Sequence, residues 1–158
     1  MIFITLGTQD KPFDRLLKEV QKCINKKVIT DKVIVQAGCT KFKSNEMGIF
    51  DLCSMDEFDK YIKECDLLIT HGGVGSIVAG LNNNKKVIAV ARLAKFGEHI
   101  NDHQIQIINK FNDEGYILGV TKMSELEDAI INSDKFKPKK YKSNTANMIK
   151  LVEELIEK

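Results

Sequence analysis

Tryptophan is absent from the 158 residues, there are only two prolines and three histidines, and the four cysteines stand apart at 23, 39, 53 and 65. That spacing forms no CxxC clamp and brings no paired histidines alongside, which excludes a zinc ribbon and reads as reduced thiols in a cytosolic protein. An excess of one charge is missing too. Twenty-four Lys and Arg against twenty-two Asp and Glu leave a net +2, too little for a protein whose main work is coating nucleic acid. Long apolar runs are lacking: the opening MIFITLGTQ has a short apolar stretch before Gly7, neither a secretory core nor a spanning helix, and no later run reaches membrane length. Internal repeats, low-complexity tracts and Gly/Ser linkers do not occur. With 43% hydrophobic and 29% charged residues, the composition fits one globular domain able to bury a core.

Short apolar runs alternate with helix-period segments along nearly the whole chain, the pattern of an α/β fold with a parallel sheet and crossover helices. Strands are expected at Ile2–Leu6, Lys32–Gln36, about Gly48–Cys53, Asp66–Thr70, Lys86–Ala91 and Tyr116–Val120. Helices are expected near Pro12–Lys26, Met55–Glu64, Val74–Asn82, Asn101–Asp113 and Ser124–Asn132. In the first helix Phe13, Leu16, Leu17, Val20 and Ile24 form one stripe that should pack on the sheet. Pro12 suits a first helical turn, and Ser124 with Glu127 reads as a capping box.

The composition shifts once, at Lys135–Lys142, where KFKPKKYK carries five lysines. An amphipathic helix is expected after it, over Ser143–Glu157, with Met148, Leu151, Val152, Leu155 and Ile156 on one face. The chain therefore divides into a domain over 1–142 and a C-terminal helix over 143–158. That helix either closes the domain's own core or docks in a groove on a partner. The lysines are either a solvated linker or face an anionic membrane surface.

Ligands of an open parallel sheet bind beyond the carboxyl ends of its strands, and three loops at such positions are unusual. Gly7-Thr8-Gln9 leaves the first strand just before a helix, where backbone N–H groups and a threonine hydroxyl suit a phosphate; a plain turn is the alternative. His71-Gly72-Gly73-Val74-Gly75-Ser76 clears side chains from a helix start whose partial positive charge favours an anion. It is neither a P-loop nor a GxGxxG fingerprint, and a loose packing turn is its alternative. The third loop, Glu98-His99-Ile100-Asn101-Asp102-His103-Gln104, carries more hydrogen-bonding side chains than capping requires, since Asn101 or Asp102 alone would cap a helix. Such groups suit sugar hydroxyls. His99 and His103 stand four apart, a metal-ligand spacing on a helix, with no third ligand at usable spacing. All three histidines of the chain fall in these loops.

The opening MIFITLGTQDKPFDRLL, the central CDLLITHGGVGSI and the later GEHINDHQ together resemble the glycosyltransferase family 28 C-terminal domain, the nucleotide-sugar-binding half of a GT-B glycosyltransferase. The resemblance extends over essentially the whole chain. It is similar to bacterial capsular and exopolysaccharide glycosyltransferases of the PssE type, and to the catalytic subunit of the eukaryotic two-subunit GlcNAc transferase acting on dolichol-linked sugars. The resemblance implies a single Rossmann-like domain in which Thr8, Gly72, Gly73, Gly75 and Ser76 contact the donor's diphosphate, with His71 beside it. It places the backbone around Ser54 and Met55 against uracil and gives Asp102, His103 and Gln104 the transferred sugar. Two positions depart from larger relatives: a ribose-binding Glu is replaced by Ala79, and an Asn after the His-Gln pair is replaced by Ile107.

The implied reaction is an inverting transfer from a UDP-sugar to a lipid-linked saccharide in capsular or exopolysaccharide synthesis, without cofactor or metal. Charge develops on the departing UDP phosphate, where Thr8, His71 and the helix start at Gly73–Ser76 would stabilise it. Glu98 and His99 are candidates for the base that deprotonates the acceptor hydroxyl, unless a partner brings it. A GT-B enzyme works between two domains. The other half is therefore expected on a membrane-attached, acceptor-binding subunit, with this chain cytoplasmic and peripheral at the inner face of the membrane. The competing reading is a non-catalytic nucleotide-sugar-binding module, which the departures at Ala79 and Ile107 keep open.

Overall fold

The structure is a computed structural model that describes residues 1–141. Six strands form one sheet: β1 (Ile2–Thr5), β2 (Val33–Gln36), β3 (Met47–Phe50), β4 (Leu67–His71), β5 (Lys86–Val90) and β6 (Leu118–Val120). Every neighbouring pair is parallel and the order is β3-β2-β1-β4-β5-β6, the doubly wound arrangement expected of a Rossmann-like domain. The central strands are buried on both faces, so β1 and β4 read as unbroken buried runs rather than as alternations.

Successive side chains still point to opposite faces, and they separate two cores. Ile2, Ile4 and Leu6 lie in one with Leu16, Leu17 and Val20 of α1 (Asp14–Asn25) and Leu126 and Ile130 of α5 (Leu126–Ser133). Phe3, Leu68 and Val87 lie in the other. There they meet Ile62 of α2 (Met55–Glu64), Ile77 and Leu81 of α3 (Val74–Asn82), and Ile107, Ile108 and Phe111 of α4 (His103–Asp113). Each side chain fully buried this way contributes roughly 1.5–3 kcal/mol.

Several element starts differ from the sequence-based expectation, each for a tertiary or capping reason. Pro12 stays outside α1 because Phe13, whose ψ of 51° is not helical, donates its N–H to Thr40 Oγ1 at 2.9 Å. The third strand ends at Phe50, and Ser54 instead caps α2 by accepting the Glu57 N–H at 3.1 Å. α4 begins at His103 rather than Asn101, since Asn101 Oδ1 accepts the His103 N–H at 3.0 Å. The Ser124–Glu127 box does not form. A 3-10 turn over Met123–Glu125 precedes α5, Glu125 accepts the Lys122 N–H at 3.2 Å, and Glu127 pairs with Lys26 at 3.1 Å. Lys142 and the expected helix over 143–158 lie outside the described residues. Among the described residues, no helix is long and apolar enough to cross a membrane.

Candidate functional site

The strand order reverses between β1 and β4: the chain leaves β1 toward α1 on one face and β4 toward α3 on the other. Diverging connections leave a crevice at the carboxyl ends of these strands, here a cleft of about 500 Å³. Gly7, Thr8 and Gln9 form its floor from β1; His71, Gly73, Gly75 and Ser76 form the β4 side. Two of the three loops selected from the sequence therefore meet in one cleft.

The β4 side is an open helix start. Gly73 is the N-cap of α3 and supplies no capping side chain, so the N–H groups of Val74, Gly75 and Ser76 point outward without intrahelical partners. A Cβ on Gly75 would meet nothing within 4 Å, whereas one on Gly73 would fall 2.4 Å from His71 Cε1. Gly7, at φ +81°, closes the other side of the ring, where a Cβ would lie 2.5 Å from His71 Nε2. Gly72 is packed as well, its missing Cβ leaving room for Gln104 Cβ at 2.8 Å. Of the three glycines in the loop, only Gly75 keeps space for something other than the protein.

His71 is only 6% exposed. Burial, reinforced by Arg92 and His99, pushes its imidazole down to about 3, so the ring is neutral at physiological pH. Its Nδ1 lies 3.2 Å from Gln104 Nε2, while Gln104 Oε1 accepts the backbone N–H of Gly72 at 3.1 Å and of Arg92 at 3.0 Å. Gln104 is thus 3% exposed and sits behind His71, not on the cleft surface where a sugar contact was expected.

Most polar groups of Glu98–Gln104 are likewise engaged by the protein itself, while Ile100 and Asp102 stay exposed. Glu98 holds Arg15 through two 2.9 Å hydrogen bonds and accepts the Leu93 N–H at 3.0 Å, so the buried carboxylate does not reach the cleft as a general base would. Asp102 Oδ1 accepts the Ala94 N–H at 2.8 Å. His99 Nδ1 accepts the Asn101 N–H at 3.3 Å, and burial followed by the nearby Arg92 lowers its pKa. His103 has a buried Nδ1 with no partner among the described residues. Asp102, His103, Glu98 and His99 do not line the cleft. Among the described residues no three His, Cys, Asp or Glu side chains gather as metal ligands.

The residue that organises this segment, Arg92, stood out in no sequence pattern. It is 1% exposed; its guanidinium donates to the carbonyls of Lys11 at 2.8 Å and Glu98 at 3.0 Å, and to Leu6 O. It joins the end of β5 to the chain leaving β1. A lone arginine after an apolar strand otherwise reads as a solvent-facing terminus.

The cleft's remaining wall comes from β2, the connection after β3, and α2. Leu52 and Met55 are exposed there, Met55 at 72%, beside the partly buried Phe58. Large exposed apolar side chains rimming a cavity suit a flat ring system. Ser54 contributes its hydroxyl to the helix cap and is not on this surface, whereas Met55 is. Gln36, Cys53 and Asp59 also face the cleft; the first two lie at or just past strand ends, whereas Asp59 sits inside α2, where nothing in the sequence marks it. Ala79 lines it too, while Ile107 is buried in the core beneath α4.

A profile of the glycosyltransferase family 28 C-terminal domain matches residues 1–158. The chain belongs to that family. The UDP-N-acetylglucosamine transferase subunit ALG13 of Candida albicans is 29% identical over 104 residues, 66% of this chain and 34% of that protein, so the match spans about a third of the relative's length. The NMR solution structure of ALG13 superposes with a TM-score of 0.64 at 23% identity, covering 98% of this chain and 96% of that one. The crystal structures of the kitacinnamycin glycosyltransferase and of SnogD from Streptomyces nogalater give TM-scores of 0.56 and 0.54 at 13% and 14% identity. They cover 99% and 95% of this chain but 38% and 42% of their own. This family 28 domain therefore has the fold of the C-terminal half of a GT-B glycosyltransferase.

Proposed function

We propose that this chain is the donor-binding, catalytic subunit of an inverting glycosyltransferase that moves a sugar from a UDP-sugar to a lipid-linked saccharide, in capsular or exopolysaccharide synthesis of the PssE type. The observation that carries the reading is the cleft at the β1/β4 switch point, with an uncapped helix start and a neutral imidazole on one side and an exposed apolar wall on the other. The diphosphate lies against Gly73–Ser76 and Thr8, where backbone N–H groups and the helix dipole favour negative charge. Uracil packs on Leu52, Met55 and Phe58.

In the transfer, the acceptor oxygen attacks the anomeric carbon as the bond from that carbon to the β-phosphate oxygen breaks, inverting the centre. The acceptor proton passes to a base, and UDP leaves with the bonding electrons. Donors already aimed at the phosphate stabilise the charge that develops, and the reading requires no metal. Glu98, enclosed by Arg15 and Leu93, is not the base; His99 or a partner residue takes that role. Asp102 and His103 are assigned to the transferred sugar when the cleft is closed by the second half.

That half belongs to a membrane-attached acceptor-binding subunit, which holds this chain at the cytoplasmic face. Similarity to a protein named as a transferase subunit supports this reading, and residues 143–158 are the proposed docking element. The experiment is a UDP-sugar panel: thermal shift on the chain alone, then transfer to lipid-linked acceptor with the partner. UDP is expected to raise the melting point of the isolated chain, while transfer needs both subunits and is lost when residues 143–158 are deleted. No shift at saturating UDP overturns the donor site; full turnover by the chain alone overturns the two-subunit reading.

A further inference from the structure

We propose that Gln104 is a positioning residue that fixes the tautomer of His71, so that the imidazole presents Nε2–H, never a bare nitrogen, to the phosphate end of the cleft. The forced element is the amide. Gln104 Oε1 receives two backbone N–H groups, from Gly72 and Arg92, and an amide nitrogen cannot accept a hydrogen bond. The side chain therefore cannot be flipped, and Nε2 must be the atom facing His71 Nδ1 at 3.2 Å. A donor there requires a lone pair on Nδ1, which leaves the one proton of the neutral ring on Nε2.

The environment holds the ring in that state. Arg92 at the end of β5 and His99 in the following loop both oppose protonation, as does burial. From α4 the facing group is the uncharged Gln104, and Gly7 and Gly73 bring no side chain at all. These two glycines, both on the cleft surface, flank the Nε2 edge so closely that a Cβ on either would strike it. The result is a hydrogen-bond donor whose direction is set by α4 and which stays in one protonation state between about pH 5 and 8.

The use of this donor for a diphosphate rests on the proposed function, but the tautomer does not, and nitrogen-15 imidazole spectra of the full chain separate the two. His71 is expected to show an Nε2–H tautomer without titration between about pH 5 and 8. Gln104→Glu replaces the donor with an acceptor: the ring proton should move to Nδ1 or a second proton should join it, bringing a titration into that range and making the UDP-induced thermal shift pH-dependent. Gln104→Met removes the lock, and both tautomers should appear, with UDP affinity about tenfold weaker or worse. A wild-type His71 that carries its proton on Nδ1, or that titrates near 6.5, overturns the proposal even if neither variant folds. Unchanged ring shifts in Gln104→Glu overturn it as well. An Nε2–H tautomer in a chain that ignores UDP upholds the positioning role and removes the donor-site reading instead.

Discussion

The loop over His71–Ser76 and the segment over Glu98–Gln104 look alike as sequence. Each follows a strand, precedes a helix and concentrates groups that can bind a polar ligand. Folded, they behave in opposite ways. The first leaves the N–H groups at the start of α3 without a capping side chain and keeps the space above Gly75 open. The second closes on the protein: Glu98 serves Arg15 and Leu93, Asp102 serves Ala94, and Gln104 serves Gly72, Arg92 and His71. A dense run of polar side chains reports a demand for hydrogen bonds, and backbone N–H groups of neighbouring loops can meet much of that demand. A glycine-rich helix start has no side chains with which to satisfy itself. It stays available to an anion, whereas the polar segment becomes the scaffold that holds the available loop in place.

The sharpest way to break this contrast is to remove the scaffold's centre. Arg92→Met leaves the carbonyls of Leu6, Lys11 and Glu98 without their donor, and urea denaturation should show a loss of about 3–5 kcal/mol. A loss below about 1 kcal/mol would mean that the segment is not structural. Acid is the next lever. His71 binds fewer protons folded, at about 3, than unfolded, near 6.5. Its contribution is therefore complete above the unfolded value and falls as pH drops toward the folded one. The slope is about 1.4 kcal/mol of stability per pH unit. His71→Asn should flatten that part of the stability profile whatever it does to the neutral-pH value; an unchanged slope would show that the ring is not held neutral.

Smaller effects separate the two regions by ligand rather than by stability. Gly75→Val places a side chain where nothing lies within 4 Å, in a helix that tolerates valine better than glycine. The melting point should change by no more than a few degrees, while the UDP-induced shift disappears. Unfolding of this variant would make the glycine a packing element like Gly73. Asp102→Ala removes one exposed hydrogen bond to Ala94 and should cost about 0.5–1.5 kcal/mol, leaving the UDP shift intact. Transfer rates measured with the partner across several UDP-sugars then decide whether Asp102 also reaches the sugar, which predicts a change in discrimination, or only holds its loop, which predicts none.

Much of the architecture was legible because it is local. α2 and α3 begin and end where periodicity placed them, at Met55–Glu64 and Val74–Asn82, since Ser54 caps one helix and a glycine loop introduces the other. Of the expected stripe, Phe13, Leu16, Leu17 and Val20 are buried and Ile24 is partly buried against the same core. The first turn of α1 was not legible, because the bond that holds Phe13 comes from Thr40, 27 residues away. Of the site, the positions of His71, Gly73, Gly75, Ser76 and Thr8 on one cleft followed from their place after parallel strands. Gln36, Leu52, Cys53 and Phe58 did not, as nothing in their own neighbourhood distinguishes a cleft wall from an ordinary surface.

Sequence by itself determined an α/β domain with glycine-bearing turns after the first and fourth strands, because periodicity, caps and glycine loops act within a few residues; the family came from its motifs taken together. The tertiary structure decided which of those loops remains open and what each histidine can do. Arg92 reaches Leu6 across 86 residues and Lys11 across 81, and Gln104 reaches His71 across 33. Burial and hydrogen-bond partners, which set a charge state or a tautomer, exist only once such distant segments are brought together.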